Sequence, residues 1–230
     1  MMKDEVDLLI EYPSKIAAML LKDEIDVGLV PVAIIPEMKE HYIVSDYCIG
    51  SDGEVASVCL FSEVPLTQIE KILLDYQSRS SVALLKLLIR EQWKMEVIFE
   101  ETSGDYQSKI SGTTAGLVIG DRALKQRKLS PYIYDLGLEW KQFTGLPFVF
   151  AAWISNKELD EDFVHSFNDA NAFGLNRIEE IVHENPYEIY DLQYYYTHCI
   201  SFDLDDDKRR ALELFLKMNS QKKLYPNKNR

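Results

Sequence analysis

Three serines and an arginine, Ser78, Arg79, Ser80 and Ser81, stand together in "LLDYQSRSSVALLKLLI" (residues 73–89), between an apolar strand-like run and an apolar helix-like run. A hydroxyl at Ser80 or Ser81 would cap the helix by accepting a backbone N–H of its first turn. Capping accounts for one serine and leaves two hydroxyls and a guanidinium unexplained. In α/β folds the carboxyl end of a strand is where ligands collect, and the free N–H groups and dipole of the following helix favour an anion there. Hydroxyls at Ser78, Ser80 and Ser81 would add charge-assisted hydrogen bonds, each worth about 1.5–3 kcal/mol. The stretch predicts a carboxylate cradle.

Other candidates are weaker on residue type alone. Ser57, in "SDGEVASVCLF", lies beside a tight turn on an otherwise apolar strand, and a solvent-facing strand serine explains it equally well. In "VIGDRAL", Gly120 would let the backbone approach a ligand, and Asp121 starts a helix, the ordinary place for a cap. Phe148, Phe150 and Trp153 read as core. The chain contains no GxSxG, phosphate-loop or GxGxxG pattern. His41, His165, His183 and His198 lack ligand spacing, so no metal site is expected. Cys48, Cys59 and Cys199 are too scattered for a disulfide framework and are expected to be buried thiols.

Composition narrows the setting. The 230 residues carry a net charge of -13, which argues against a nucleic-acid partner. Any anionic ligand must then be held locally, by hydrogen-bond donors, against an unfavourable overall field. No apolar run approaches the ~20 residues of a membrane span, and the acidic start "MMKDEVDLLIEYP" is unlike a signal peptide. A soluble, intracellular protein with a small-molecule partner is expected.

The elements that must position these residues alternate. "VDLLIEY" predicts a strand, and Pro13-Ser14 opens a helix through "KIAAMLLKDE". A buried strand and turn follow at "IDVGLVPVAII", and strands at "YIVSDYCIG", "VASVCLFS", "KILLDY", "MEVIFEE", "TTAGLVIG", "YIYDL" and "FVFAAWIS". Helices are predicted at "SSVALLKLLIREQW", "DRALKQRK", "GLEWKQFTG", "DEDFVHSFNDANAFGLNRIEEIVHE" and "DDKRRALELFLKMN", with a polar tail, "SQKKLYPNKNR", expected to fray. This alternation predicts an α/β architecture with parallel strands. Residues 63–147 form an inserted α/β lobe, and residues 1–62 and 148–230 form the other. Two strand-like crossings, near "CLFSEVP" and "LPFVFAAW", would hinge a cleft between them.

Five blocks, "DEIDVGLVPV", "SDGEVASVCLFSEVPL", "DYQSRSSVALLKLLI", "AGLVIGDRAL" and "YDLGLEWKQFTGLPFVFAAW", resemble in order and spacing the chorismate dehydratases of menaquinone biosynthesis. The resemblance runs from about residue 10 to the last helix. It implies a two-lobed, periplasmic-binding-protein-like (type II) fold in a cytoplasmic enzyme. The implied reaction removes water from chorismate to give 3-[(1-carboxyvinyl)oxy]benzoate, the first step of the futalosine route, without metal or cofactor. It also implies that Ser57 matches an active-site serine. Ser78, Arg79, Ser80 and Ser81 match a carboxylate-binding "SRTS" turn, with Ser80 in place of threonine; Arg79 either touches ligand or pairs within the protein. Gly120 and Asp121 join them as substrate-binding candidates.

Members of the family begin with a segment like "VxYLNxxPL", whose asparagine lies at the substrate, and no asparagine here matches it. The expectation is an upstream strand and "YLN"-like turn, without which the chain would be marginally stable and a poor catalyst. Two other functions fit the same blocks less closely. One is the later pathway enzyme that cleaves cyclic dehypoxanthinyl futalosine; the other is a non-catalytic protein binding small aromatic or dicarboxylic acids.

Overall fold

Short apolar runs, each bounded by glycine, proline or acidic residues, become the strands of two sheets in a computed structural model that describes residue 2 and residues 5–220. In chain order these are α1 (Pro13–Leu21), β1 (Val27–Pro31), a 3₁₀ helix (Val32–Glu37), β2 (Tyr42–Ser51) and β3 (Val58–Ser62). Next come β4 (Lys71–Leu74), α2 (Arg79–Glu91), β5 (Ile98–Glu101), β6 (Thr114–Ile119), α3 (Asp121–Gln126), β7 (Tyr132–Asp135) and α4 (Leu136–Thr144). The chain continues through β8 (Phe148–Ser155), α5 (Glu161–Leu175), α6 (Ile178–Glu184) and α7 (Leu192–Tyr194). A π-helical turn (Tyr195–Cys199), β9 (Ser201–Asp203) and α8 (Asp206–Ser220) complete it. The tail at residues 221–230, expected to fray, lies outside the described residues.

The first sheet has the order β1-β8-β2-β9 and the second β5-β4-β6-β3-β7. The expectation of parallel strands holds only for β5-β4-β6; every pairing in the first sheet, and both pairings of β3, are antiparallel. Antiparallel pairing follows from the chain path. Strand β8 returns from the second sheet to run between β1 and β2, and β3 enters the second sheet against the direction of β6.

Strand β3 also departs from the expected lobe boundary at residue 62. All five of its residues are buried, and it lies between β6 and β7, inside the second sheet. The chain therefore passes between sheets at residues 52–57, ahead of "CLFSEVP", and again at residues 145–147.

"VDLLIEY" is not a strand: residues 6–12 are irregular, with Leu8 77% and Ile10 85% exposed. Backbone groups of a strand need a partner strand to satisfy them, and none of the described residues pairs with this stretch. The long helical pattern after residue 158 divides into α5 and α6, and the short β9 went unpredicted because three residues carry little periodicity.

The second crossing is fixed by aromatic packing. Gly145 takes the left-handed conformation that ends α4, at φ 75°. The buried Trp140 donates its indole N–H to Pro147 O at 2.9 Å and packs edge-on against Phe148 and Phe215. The first crossing is fixed by close backbone approach. A Cβ on Gly137, at the start of α4, would lie 2.4 Å from Ser51 Oγ and 2.5 Å from Gly53 O. Gly137→Ala must push these two segments apart, and we expect a loss of about 1–3 kcal/mol, as for other overpacked sites. Urea denaturation checks this; a loss under about 0.5 kcal/mol would show that the crossing gives way freely.

Candidate functional site

Two strands of the second sheet, β4 and β6, run parallel and end side by side, whereas β3 begins at that same end because it is antiparallel to β6. Val58 pairs with Ile119, so Ser57 faces the Gly120 turn, and the Gly120 N–H donates to Ser57 O at 2.8 Å. The segment 75–81 leaves β4 at the same end. All the candidates read from sequence thus gather at the carboxyl end of the parallel strands, the place where α/β sheets bind ligands.

A buried carboxylate organises the mouth of this end. Asp75 accepts from the Tyr106 hydroxyl at 2.8 Å, the Ile119 N–H at 3.1 Å and the Gln77 N–H at 2.9 Å. Arg122 Nη2 donates to both Asp75 oxygens, at 3.0 and 2.8 Å, and to Gln77 Oε1 at 2.7 Å. The charge of Arg122 is thereby matched within the fold. Its guanidinium also lies over the Tyr76 ring, 5.4 Å from the centroid.

Ser78, not Ser80 or Ser81, is the N-cap of α2: its hydroxyl oxygen accepts the Ser81 N–H at 3.1 Å. The same hydroxyl donates its proton to Ser81 Oγ at 2.8 Å. Ser80 Oγ accepts the Ala33 N–H at 3.2 Å, which ties α2 to the 3₁₀ helix beside the first sheet. Both Ser80 and Ser81 are buried, and among the described residues neither donates its own hydroxyl proton. Arg79 Nη1 lies 3.2 Å from Glu37 Oε2, an exposed pair of the kind that contributes about 0–1 kcal/mol.

Gly120 is the residue before α3, at φ 64° and ψ -148°, a conformation that a side chain disfavours. Asp121 is the first residue of the helix rather than its cap, and it is exposed. Its carbonyl oxygen accepts the Tyr187 hydroxyl at 3.5 Å.

Ser57 sits just before β3, on the crossing itself. The preceding residue, Ala56, is buried and left-handed at φ 60°, a strained position for a residue with a Cβ. That geometry is held by Asp135, which accepts the N–H groups of Val55 at 3.0 Å and Ala56 at 2.7 Å. Asp135 also caps α4 through Gly137 and Leu138. Burial pushes its carboxyl above the ordinary value, opposed by the N–H donors of Val55, Leu138 and Ala56. Nearby Cys59 is fully buried, and burial first, then the Asp135 carboxylate, drive its thiol well above the usual range.

Sequence reasoning missed Tyr195. Its hydroxyl lies 2.8 Å from Ser57 Oγ, although 138 residues separate the two. Burial raises the Tyr195 phenol to about 12, with the Ser57 hydrogen bond opposing. The run "YYYTHC" marks an unusual density of phenols in the sequence, but nothing local says which one turns inward. Asp135 was equally hidden, inside what reads as a strand-to-helix cap.

The Asp135 cluster yields a test. In Asp135→Asn one carboxylate oxygen becomes an NH₂ group facing N–H donors. We expect a loss of about 1–3 kcal/mol from the buried donors left unsatisfied, read by chemical denaturation. A near-neutral change would mean that the crossing is not held by this side chain.

A chorismate dehydratase from Thermus thermophilus is 29% identical over 189 residues, which cover 74% of this chain and 69% of that protein. One from Campylobacter jejuni is 26% identical over 137 residues, 54% of this chain and 61% of that protein. Among solved structures, protein AF1704 from Archaeoglobus fulgidus superposes with a TM-score of 0.66 at 15% identity, over 96% of this chain and 88% of that one. The alkanesulfonate-binding protein SsuA from Xanthomonas axonopodis, bound to MOPS, gives 0.56 at 10% identity, over 94% and 81%. The fold is therefore mixed α/β and periplasmic-binding-protein-like. A family model described as menaquinone biosynthesis matches residues 1–221, and the chain belongs to that family.

Proposed function

We propose that this protein is a chorismate dehydratase, a lyase that converts chorismate to 3-[(1-carboxyvinyl)oxy]benzoate and water in the cytoplasm. The observation that carries the reading is the joint placement of Ser57 and the Ser78–Ser81 turn at one sheet end, with donor protons left on Ser80 and Ser81. The relatives named chorismate dehydratase support it.

Chorismate is a dianion, and this protein carries a net charge of -13. Binding must therefore come from aimed hydrogen bonds rather than from the overall field. In this reading Ser80 and Ser81 donate to one carboxylate while the start of α2 adds its dipole. Gly120 and Asp121 line the opposite side, and Ser57 faces the ring. Loss of the ring hydroxyl and a ring proton forms a benzene ring, so aromaticity supplies the driving force. The protein has to orient the dianion, exclude water and stabilise charge as it shifts. The two sheets serve as cores of two lobes that hinge at residues 52–57 and 145–147, so closure shields the bound substrate from water.

A second reading is favoured by the fold neighbours: the SsuA proteins are binding proteins. Incubation with chorismate separates the two, because aromatisation changes the ultraviolet spectrum. We expect turnover; tight binding of chorismate without any spectral change would instead support a non-catalytic carboxylate-binding protein.

Ser57→Ala tests the placement of the site. Removing one hydroxyl should change stability by no more than about 1 kcal/mol. If that hydroxyl acts in the transition state, kcat should fall more than affinity for chorismate does. Near-normal turnover would return Ser57 to the role of a strand-end serine.

A further inference from the structure

We propose that Tyr195 is a positioning residue for Ser57: its phenol donates to Ser57 Oγ and thereby aims the Ser57 proton into the site. The inference rests on the reading of Ser57 as substrate-facing. It deepens that reading by naming what controls the serine's one free rotor.

Ser57 is otherwise immobilised through its backbone. Its N–H donates to Val55 O at 2.7 Å, and its carbonyl oxygen accepts the Gly120 N–H at 2.8 Å. Only the direction of the hydroxyl proton remains open, and Tyr195 is the one recorded partner of Ser57 Oγ among the described residues. A phenol is more acidic than an aliphatic alcohol, so of two hydroxyls 2.8 Å apart the tyrosine is the better donor. With Tyr195 donating, the serine proton must point away from the ring. The serine also becomes a stronger donor through polarisation along the chain.

The ring itself is held. It packs beside the cluster of Ala56, Leu124 and Cys199, and meets Tyr190 edge-on at 6.2 Å. It begins a π-helical turn, a local irregularity that often marks a functional site. A buried phenol raised to about 12 keeps its proton throughout the neutral range, so it serves as a fixed donor and not as a base.

This turn leads directly into β9 of the first sheet, whereas Ser57 immediately precedes β3 of the second. The hydrogen bond thus couples the orientation of a candidate reacting group to the arrangement of the two sheets.

The test uses the full-length protein. In Tyr195→Phe, kcat for chorismate should fall about tenfold, the worth of one hydrogen bond, with KM nearly unchanged. In a Ser57→Ala background the same substitution should cause no further loss, because the group it positions is gone. A purely structural tyrosine would instead lower both backgrounds by the same factor, and that outcome overturns the inference. So does a Tyr195→Phe protein with the kcat of the wild type. Should Tyr195→Phe fail to fold, 3,5-difluorotyrosine at position 195 keeps the shape and makes the phenol more acidic. A new alkaline fall in kcat, absent from the wild type, is then expected, and an unchanged pH profile overturns the inference. A wild type that binds chorismate but never turns it over removes the dehydratase reading and this inference together. Turnover with an unimpaired Tyr195→Phe removes the inference alone.

Discussion

The carboxylate of Asp135 ties the first crossing between the two sheets to the start of α4. From one position, at the end of β7, it caps α4 and accepts the N–H groups of Val55 and Ala56 on the crossing between the two sheets. Those bonds hold Ala56 in a left-handed conformation. The turn at Ala56 in turn fixes where Ser57 points as the chain enters β3. Four backbone donors around one buried anion offset the cost of burying it. They also convert a flexible connection into a rigid corner. The glycine at 137 belongs to the same device, since any side chain there would meet Ser51 and Gly53.

A similar logic recurs on the other side of the site. Asp75, also buried, gathers Tyr106, the Ile119 N–H and Arg122. The Arg122 cation is therefore already matched by an internal anion. For the dianion proposed as substrate, a protein with a net charge of -13 has to rely on hydroxyl and backbone donors. Such donors are weak singly, but they are directional and are held in place by packing. The serines around the start of α2 suit that role: Ser78 performs the capping, which leaves the protons of Ser80 and Ser81 uncommitted.

The hydrophobic core is arranged to keep these parts in register. The α2 helix, whose first turn carries the serines, packs on the 3₁₀ helix, α4 and α8 as well as on the sheets. One continuous apolar cluster includes Val30 and Ile154 of the first sheet and Leu60 and Ile72 of the second. Trp140, Phe148 and Phe215 close it around the second crossing. Two short connections, at residues 52–57 and 145–147, run between the sheets, and the first of them carries Ser57.

Local pattern in the sequence was enough for most of the helices and strands after residue 63, because each carries its own apolar period and its own punctuation. The serine turn could be located for the same reason: strand, hydroxyls and helix are consecutive. Which serine caps was not legible, because Ser78 was separated from its role only by the true start of α2 at Arg79. "VDLLIEY" has the composition of a strand, but composition does not supply a hydrogen-bonding partner, and the stretch stays irregular and exposed. Strand direction depended on chain path, and so β3 and β8 turned out antiparallel to neighbours that pattern alone suggested were parallel. Tyr195 meeting Ser57, and Asp135 meeting Ala56, join residues 138 and 79 positions apart. Local chemistry is written in neighbouring residues and can be read from the sequence. Contacts between distant residues exist only once the chain has closed on itself, and those contacts decide which hydroxyl is held, and by what.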